Sequence, residues 1–387
     1  NSEAHSQVAY QVASEGIVLL KNESNFFPID KQKEMTIAVI GQNAVNRMTK
    51  GGGSSELKAR YEISPLEGIR KEFPNAKILY SQGYAYGPSV YGREVETELD
   101  EELLKTEAIS LAKDADIVLF IGGLNKNHFQ DCEGGDRKHL ELPYNQNELI
   151  TEIQQVNENI GLILISGNAV AMPWITEVKA LVQSWYLGSE TGHALADVLS
   201  GDVNPSGKLP FSFPVKLDDN SAHYFGDSSY PGDGATQYYM DDILIGYRWH
   251  ENKKIDPLFA FGYGLSYTQF QLNEISTDKK EYKAGEKINI TCSLKNIGAE
   301  EGAEVVQVYV GKPKSKVNRA LKELKAFKKV KMKPGDEQRI DLTIASDQLA
   351  FYDENTQNWN LEKGQYIIYV GNASNHILEE VKINIKE

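Results

Sequence analysis

Cysteine is almost absent from this sequence, and so are the patterns by which many proteins hold zinc. The 387 residues include two cysteines, Cys132 and Cys292, which lie far apart. We therefore expect two free thiols rather than a disulfide. Neither a CxxC pair nor an HExxH helix occurs, and both are common zinc-binding patterns. The sequence gives no reason to expect a metal or another cofactor.

Long apolar runs and an excess of positive charge are also lacking. No stretch approaches the roughly eighteen apolar residues that a membrane-spanning helix needs, so we expect no membrane span. The net charge is -14. This argues against a nucleic-acid partner, because phosphates require a basic surface. A neutral ligand such as a sugar suits this charge.

The first half of the chain alternates short apolar runs with helical patterns. Continuous apolar runs bounded by turn residues predict buried parallel strands. These runs lie at 35–41, 116–122, 161–167 and 179–185. Apolar residues at helical spacing predict helices. These helices lie at 6–21, 64–73, 98–113, 145–157 and 191–200. Over residues 1–214 we therefore predict an open, mostly parallel sheet with helices on both faces, an α/β sandwich.

The second half has a different pattern. Residues 215–268 form a connecting segment rich in tyrosine and glycine. From about residue 269 to 387, apolar and polar residues alternate with a period of two, and turn signals such as KAGE and KPGD separate the runs. This pattern predicts a small all-β sandwich.

One glycine-bracketed loop carries the first candidate for chemistry. The stretch DCEGGDRKHLELP, residues 131–143, follows the predicted strand 116–122, and ligands bind open α/β sheets beyond the carboxyl ends of their strands. Glu133 can serve there as a general acid, with Asp136 and Arg137 orienting the loop. A solvated surface loop held by an Asp–Arg pair explains the same residues. Spacing alone favours that second explanation, because loop carboxylates are common.

The second candidate is the run GGGSS, residues 51–55, beyond the first predicted strand. Backbone amides in such a turn can hold a phosphate, although the run matches GxGxxG poorly and no Walker lysine follows it. The hydroxyls of Ser54 and Ser55 equally suit hydrogen bonds to a sugar. A flexible turn is the third explanation, and composition does not separate the three.

Several segments, taken together and in order, resemble glycoside hydrolase family 3, the β-glucosidase and β-xylosidase group. They are AYQVASEGIVLLKNESNFFPID, AVIGQNA followed by GGGSS and ISPLEGI, EGGDR, SWYLGSETGHALADVLSGDVNPSGKLPFSFP, GYRWHENKKIDPLFAFGYGLSYTQF and AFYDENTQNWNLEKGQYIIYVG. The resemblance covers nearly the whole chain. It implies an α/β sandwich followed by an immunoglobulin-like, fibronectin type III-like domain. In that family a (β/α)8 barrel precedes these two domains, and this sequence does not contain it.

The resemblance also implies roles for individual residues. Glu133 matches the general acid/base, which reverses the preference drawn from spacing. Ser54 matches a loop that touches the substrate glycone, and Ser55 is its less favoured neighbour. Asp136 and Arg137 match the same motif as Glu133 and receive supporting roles.

The resemblance therefore implies the C-terminal part of a retaining, exo-acting β-glycosidase, above all a β-glucosidase. Its nucleophilic aspartate would come from the barrel, as a domain or a separate chain, and its substrate would be a β-glucoside or β-xyloside. We expect a secreted or periplasmic protein. The family's acid/base loop varies in length, so Asp131, two residues before Glu133, is the neighbouring carboxylate to compare. A non-catalytic carbohydrate-binding or scaffold protein is the alternative, and a nucleotide-binding protein is disfavoured.

Overall fold

The computed structural model describes residues 2–47, 49, 58–86, 97–127, 129–132, 135 and 137–386. The chain divides into two compact units, Asn1–Gly207 and Lys208–Glu387. The segment 215–268 belongs to the second unit. Among the described residues, no helix is both long and apolar enough to cross a membrane.

The first unit alternates strands and helices. Its strands are β1 (Val18–Asn22), β2 (Thr36–Ile40), β3 (Lys77–Ser81), β4 (Ile117–Gly123), β5 (Ile160–Ile165) and β6 (Ala180–Gln183). Its helices are α1 (Glu3–Gly16), α2 (Pro65–Glu72), α3 (Glu101–Lys113), α4 (Gln146–Val156) and α5 (Thr191–Ser200).

One six-stranded sheet, in the order β1-β6-β5-β4-β2-β3, forms the centre of this unit. All neighbouring strands are parallel except β1, which pairs antiparallel with β6 at the edge. Every residue of β5 is buried, as expected for a parallel strand covered on both faces. Helices α3 and α4 pack against each other. Helix α2 packs against α5, and α5 against α1.

Two details of the first unit differ from the sequence predictions. The predicted helix 6–21 ends at Gly16, and the chain continues as strand β1. Residues 17–20 are four consecutive buried apolar residues. An amphipathic helix would expose some of them to solvent, whereas a strand packed in the sheet buries them all. Strand β3 was not predicted. Its run KILYS is only partly buried, because it lies at the opposite edge of the sheet.

The second unit contains two short helices, α6 (Ser221–Tyr224) and α7 (Tyr247–Lys253), before its strands begin. The strands are β7 (Phe270–Thr277), β8 (Glu281–Tyr282), β9 (Lys287–Asn296), β10 (Gly302–Gly311), β11 (Glu323–Met332), β12 (Glu337–Ala345), β13 (Phe351–Asp353), β14 (Asn358–Asn360), β15 (Gly364–Ala373) and β16 (His376–Ile385).

These strands form a sandwich of two main sheets. One has the order β11-β10-β15-β16-β8 and the other the order β12-β9-β7, while β13 pairs with β14. Strand β12 shows the alternation of buried and exposed residues that its sequence predicts. Its buried side chains join one core cluster with those of β9, β10 and β15. The predicted fold class, an α/β sandwich followed by a β-sandwich, is confirmed.

Candidate functional site

The first feature of the site is the point in the sheet where the strand order reverses. From β2 the chain moves outward to β3, whereas β4 lies on the other side of β2 and leads to β5. Ligands of open α/β sheets bind outside the carboxyl ends of the strands at such a switch point. The loops that follow β2 and β4 therefore start side by side at the edge where a ligand is expected.

Glycines let the strand ends at this edge approach closely. Gly41, just after β2, has φ +119°, and a Cβ there would lie 2.2 Å from the carbonyl oxygen of Ile121. Gly123, which ends β4, has φ +122°, and a Cβ would lie 2.1 Å from the carbonyl oxygen of Ile165. Both positions require glycine, because the conformation and the space exclude a side chain.

A side-chain hydrogen bond joins the starts of the two loops. The Asn43 side-chain amide, one turn after β2, donates to the carbonyl oxygen of Leu124 at 3.0 Å. Asn43 is buried, so this bond lies inside the unit. It fixes the position of the loop after β4, residues 124–145, which we call the β4–α4 loop.

Polar side chains order the first part of the β4–α4 loop. The N–H of Asn125 donates to Gln130 Oε1 at 2.9 Å, and the N–H of Asp131 donates to the carbonyl oxygen of Asn125 at 3.1 Å. The side-chain amides of Asn127 and Gln130 both donate to the hydroxyl oxygen of Tyr144, at 2.9 and 2.7 Å. These hydrogen bonds therefore tie residues 125, 127, 130 and 131 to one another and to Tyr144 near the other end of the same loop.

The carboxylate of Asp131 accepts three hydrogen bonds from the ends of two neighbouring strands. After β5, the N–H of Gly167 donates to Oδ2 at 2.6 Å and the Asn168 side-chain amide donates to Oδ1 at 2.9 Å. After β6, the Tyr186 hydroxyl donates to Oδ2 at 2.7 Å. We call these four residues the Asp131 anchor. It attaches the β4–α4 loop to the carboxyl edge of the sheet.

Two cationic side chains surround this anchor. Lys126 Nζ lies 3.7 Å from the centre of the Tyr186 ring, and burial lowers the pKa of this amine. Arg137 Nη2 donates to the carbonyl oxygen of Ala169 at 2.5 Å, and burial lowers the pKa of this guanidinium. The pKa of the Tyr186 hydroxyl is raised by burial and by the charge of Asp131, so this hydroxyl remains a proton donor at neutral pH.

A cavity of about 490 Å³ lies against the β4–α4 loop. Its lining residues are Leu124, Phe129, Gln130, Arg137, Lys138, His139, Glu141, Leu142 and Pro143. Lys138 Nζ lies 3.8 Å from the centre of the Phe129 ring. The cavity thus combines an aromatic face with charged groups, a composition suited to a polar organic ligand.

Of the residues predicted for the site, Arg137 is described: its side chain contacts the carbonyl oxygen of Ala169, and its supporting role stays a prediction. Glu133, Asp136, Ser54 and Ser55 lie outside the described residues. The structure describes Cys132 and Gly135, on either side of Glu133 in the sequence, and these two form an isolated antiparallel β-bridge.

Sequence reasoning missed the partners of Asp131. Gly167, Asn168 and Tyr186 each directly follow a predicted strand or lie at its end, so a search of strand ends for polar residues would have found them. Asp131 itself was considered only as a neighbour of Glu133. Because its carboxylate oxygens are held by three donors, Asp131 is placed as a structural acceptor rather than as a free acid.

One acidic cluster in the described part of the chain has the spacing of metal ligands. Oxygens of Glu72, Asp197 and Asp202 lie within 4.8 Å of one another. Lys31 Nζ already pairs with Glu72 at 2.7 Å and with Asp202 at 2.5 Å, and the Tyr10 hydroxyl donates to Asp197. Groups of the protein itself therefore already contact all three carboxylates, and the cluster belongs to the packing of the first unit.

Two family models match this chain. The model described as "Glycosyl hydrolase family 3 C-terminal domain" matches residues 17–267. The model described as "Fibronectin type III-like domain" matches residues 304–374.

Similar curated proteins and solved structures carry related names. "Beta-glucosidase BoGH3A" of Bacteroides ovatus is 47% identical over 382 residues, which are 97% of this chain and 51% of the relative. "Thermostable beta-glucosidase B" of Acetivibrio thermocellus is 38% identical over 387 residues, which are 99% of this chain and 49% of the relative. The chain spans about half the length of these curated relatives.

The crystal structure of the β-glucosidase from Kluyveromyces marxianus in complex with glucose matches with a TM-score of 0.91 and 26% identity, covering 100% of this chain and 63% of that one. The β-glucosidase structure from Bifidobacterium adolescentis matches with a TM-score of 0.88 and 31% identity, covering 100% and 54%.

Proposed function

Because this chain belongs to glycoside hydrolase family 3, as that family's C-terminal domain followed by a fibronectin type III-like domain, we propose that it is the C-terminal part of a retaining, exo-acting β-glucosidase. The names of its relatives support the substrate class. The observation that carries the proposal is the motif Glu-Gly-Gly-Asp-Arg at 133–137. It follows β4, at the switch point where the loop with Ser54 also begins.

In this proposal Glu133 is the general acid and general base. Its carboxyl group protonates the glycosidic oxygen as the bond to the anomeric carbon breaks, while an aspartate of an N-terminal barrel attacks that carbon. The ionised Glu133 then takes a proton from water, and this water releases the sugar from the enzyme. Retention requires the two carboxyl groups to lie roughly 5–5.5 Å apart.

The remaining predicted residues support this pair. Ser54, with Ser55 as its less favoured neighbour, would hydrogen-bond the sugar ring from the loop after β2. Arg137, through Ala169, and Asp136 would hold the loop that carries Glu133. Since the nucleophile is supplied by the barrel, we expect this chain alone to hydrolyse no glycoside.

The test compares Glu133→Gln with wild type in the enzyme expressed from its complete reading frame. The value of kcat/KM reports the step in which the leaving group departs. For cellobiose it should fall by about 10²–10⁴, the usual contribution of general acid catalysis. For a dinitrophenyl β-glucoside it should change little, because that leaving group needs no proton.

Glu158→Gln is the matched control. Glu158 is an exposed carboxylate just before β5, at the amino ends of the strands and away from the loops after β2 and β4. Its replacement should change kcat/KM for neither substrate. In Glu133→Ala, azide should accelerate turnover and give β-glucosyl azide, since azide attacks the intermediate without losing a proton. Wild-type hydrolysis of cellobiose by Glu133→Gln would refute the assignment.

A further inference from the structure

The Asp131 anchor connects the ends of two strands, β5 and β6, to the β4–α4 loop. Asp131 is two residues before Glu133, and its partners follow β5 and β6. Four residues after Glu133, Arg137 donates to the carbonyl oxygen of Ala169. Asp131 and Arg137 therefore both bind the same turn, residues 167–169.

The backbone around the anchor is built to make these contacts possible. Trp185, the residue before Tyr186, has φ +55°, a left-handed conformation that is rare for a bulky residue. The next residue, Tyr186, donates its hydroxyl to Asp131. At Gly167 a Cβ would lie 3.2 Å from Asp131 Oδ2 and 3.3 Å from the Tyr186 ring. A side chain at residue 167 would therefore crowd the Asp131 carboxylate and the Tyr186 ring.

The hydrogen bonds also explain why residue 131 is a carboxylate and not an amide. A backbone N–H, an amide N–H and a hydroxyl all donate to it. Burial and the charge of Asp131 keep the Tyr186 hydroxyl protonated by raising its pKa. Lys126, above the Tyr186 ring, adds a positive charge on the same side. An uncharged amide at residue 131 would turn a donor toward one of these donors.

We propose that Asp131 is a positioning residue for the acid/base glutamate: its three hydrogen bonds fix the chain two residues before Glu133. This inference rests on the proposed function. Asp131 itself exchanges no proton with substrate. Its effect is transmitted through the placement of Glu133, for which an error of about 1 Å can cost about 10²-fold in rate.

The test measures Asp131→Asn in the enzyme from the complete reading frame. With cellobiose, kcat/KM should fall by about 10²-fold. With a dinitrophenyl β-glucoside, which needs no proton, kcat/KM should stay near the wild-type value. Competitive inhibition by glucose should not change, because the sugar-binding groups are untouched. If Asp131 had only a structural role, its replacement would lower kcat/KM for both substrates together or weaken glucose binding.

Asp116→Asn is the matched control. The Asp116 carboxylate also accepts a hydrogen bond from a backbone N–H, that of Thr36, at 2.7 Å. However, Asp116 lies just before β4, at the amino ends of the strands. Its replacement should leave the ratio of the kcat/KM values for the two substrates unchanged. Thermal unfolding of both variants checks that they fold. If Asp131→Asn does not fold, Tyr186→Phe, which removes one of the three donors, should give the same selective loss at about 3–10-fold, within the usual energy of one hydrogen bond.

The outcomes separate this inference from the proposed function. If Glu133→Gln is impaired with cellobiose while Asp131→Asn matches Asp116→Asn, the positioning role is wrong and the proposed function stands. If Asp131→Asn lowers kcat/KM equally for both substrates, the positioning role is also wrong and the proposed function stands. If Glu133→Gln keeps wild-type activity with cellobiose, the proposed function fails and the positioning role fails with it.

Discussion

Replacing Gly68 by alanine tests a backbone contact between α2 and α5. A Cβ at Gly68 would lie 1.9 Å from the carbonyl oxygen of Gly192 and 2.3 Å from its carbonyl carbon. Real Cβ atoms essentially never approach other atoms within 3.0 Å. Since the neighbour is backbone and not a flexible side chain, one helix must move to admit the methyl group.

The expected magnitude combines two opposing effects. Overpacking costs about 1–3 kcal/mol, and a contact between two backbones belongs at the upper end of that range. Alanine returns up to about 1 kcal/mol through its helix propensity. The net loss of unfolding free energy is then about 2 kcal/mol, which lowers the melting temperature by roughly 4–8 °C for a unit of this size.

The assay is differential scanning calorimetry of the chain with Gly16→Ala as control. Gly16 ends α1 and has no described atom within 4 Å of a built Cβ, so its replacement should not lower the melting temperature. A Gly68→Ala protein that melts at or above the wild-type temperature would show that α2 and α5 do not approach as closely as described.

Two further predictions concern charged groups. The pKa of Glu67 is lowered, with the hydrogen bond from the backbone N–H of Ser64 as the main cause. A carboxyl group whose pKa is lower in the folded state stabilises the fold above its unfolded pKa and loses that contribution as the pH falls. Urea titrations of Glu67→Gln should thus show a shallower loss of stability below about pH 4.5, and an unchanged slope would contradict the hydrogen bond from Ser64. Lys208 Nζ pairs with Glu304 at 2.6 Å, and both side chains are largely buried. Lys208→Met should lower the unfolding free energy by about 3–5 kcal/mol, whereas adding Glu304→Gln should restore part of it; additive losses in urea unfolding would refute the pairing.

The sequence predicted the central strands of the first unit well because their burial is continuous. The run 116–122 is strand β4, Ile117–Gly123, and 161–167 begins with β5. The edges were harder to predict. Residues 17–20 continue a helical pattern, and what makes them a strand is pairing with β6, more than a hundred and fifty residues later. Strand β3 lacks a strong apolar signal because one side of it has no neighbouring strand.

The candidate site divides in the same way. A motif of five consecutive residues can be recognised in the sequence, so Glu133, Asp136 and Arg137 were predicted, and the roles of all three stay predictions. The partners of Asp131 lie 36, 37 and 55 residues away. Sequence spacing carries no information about contacts at such distances, which depend on the order of β4, β5 and β6 in the sheet.

The paired glycines at the ends of β2 and β4 have a consequence for engineering. Gly41 and Gly123 fix where two loops leave the sheet, and the Asn43–Leu124 hydrogen bond fastens those exits together. Segments grafted between such fixed exits can differ in length and composition without disturbing the strands beneath them. A library that varies these segments while keeping both glycines and Asn43 should therefore yield mostly folded proteins.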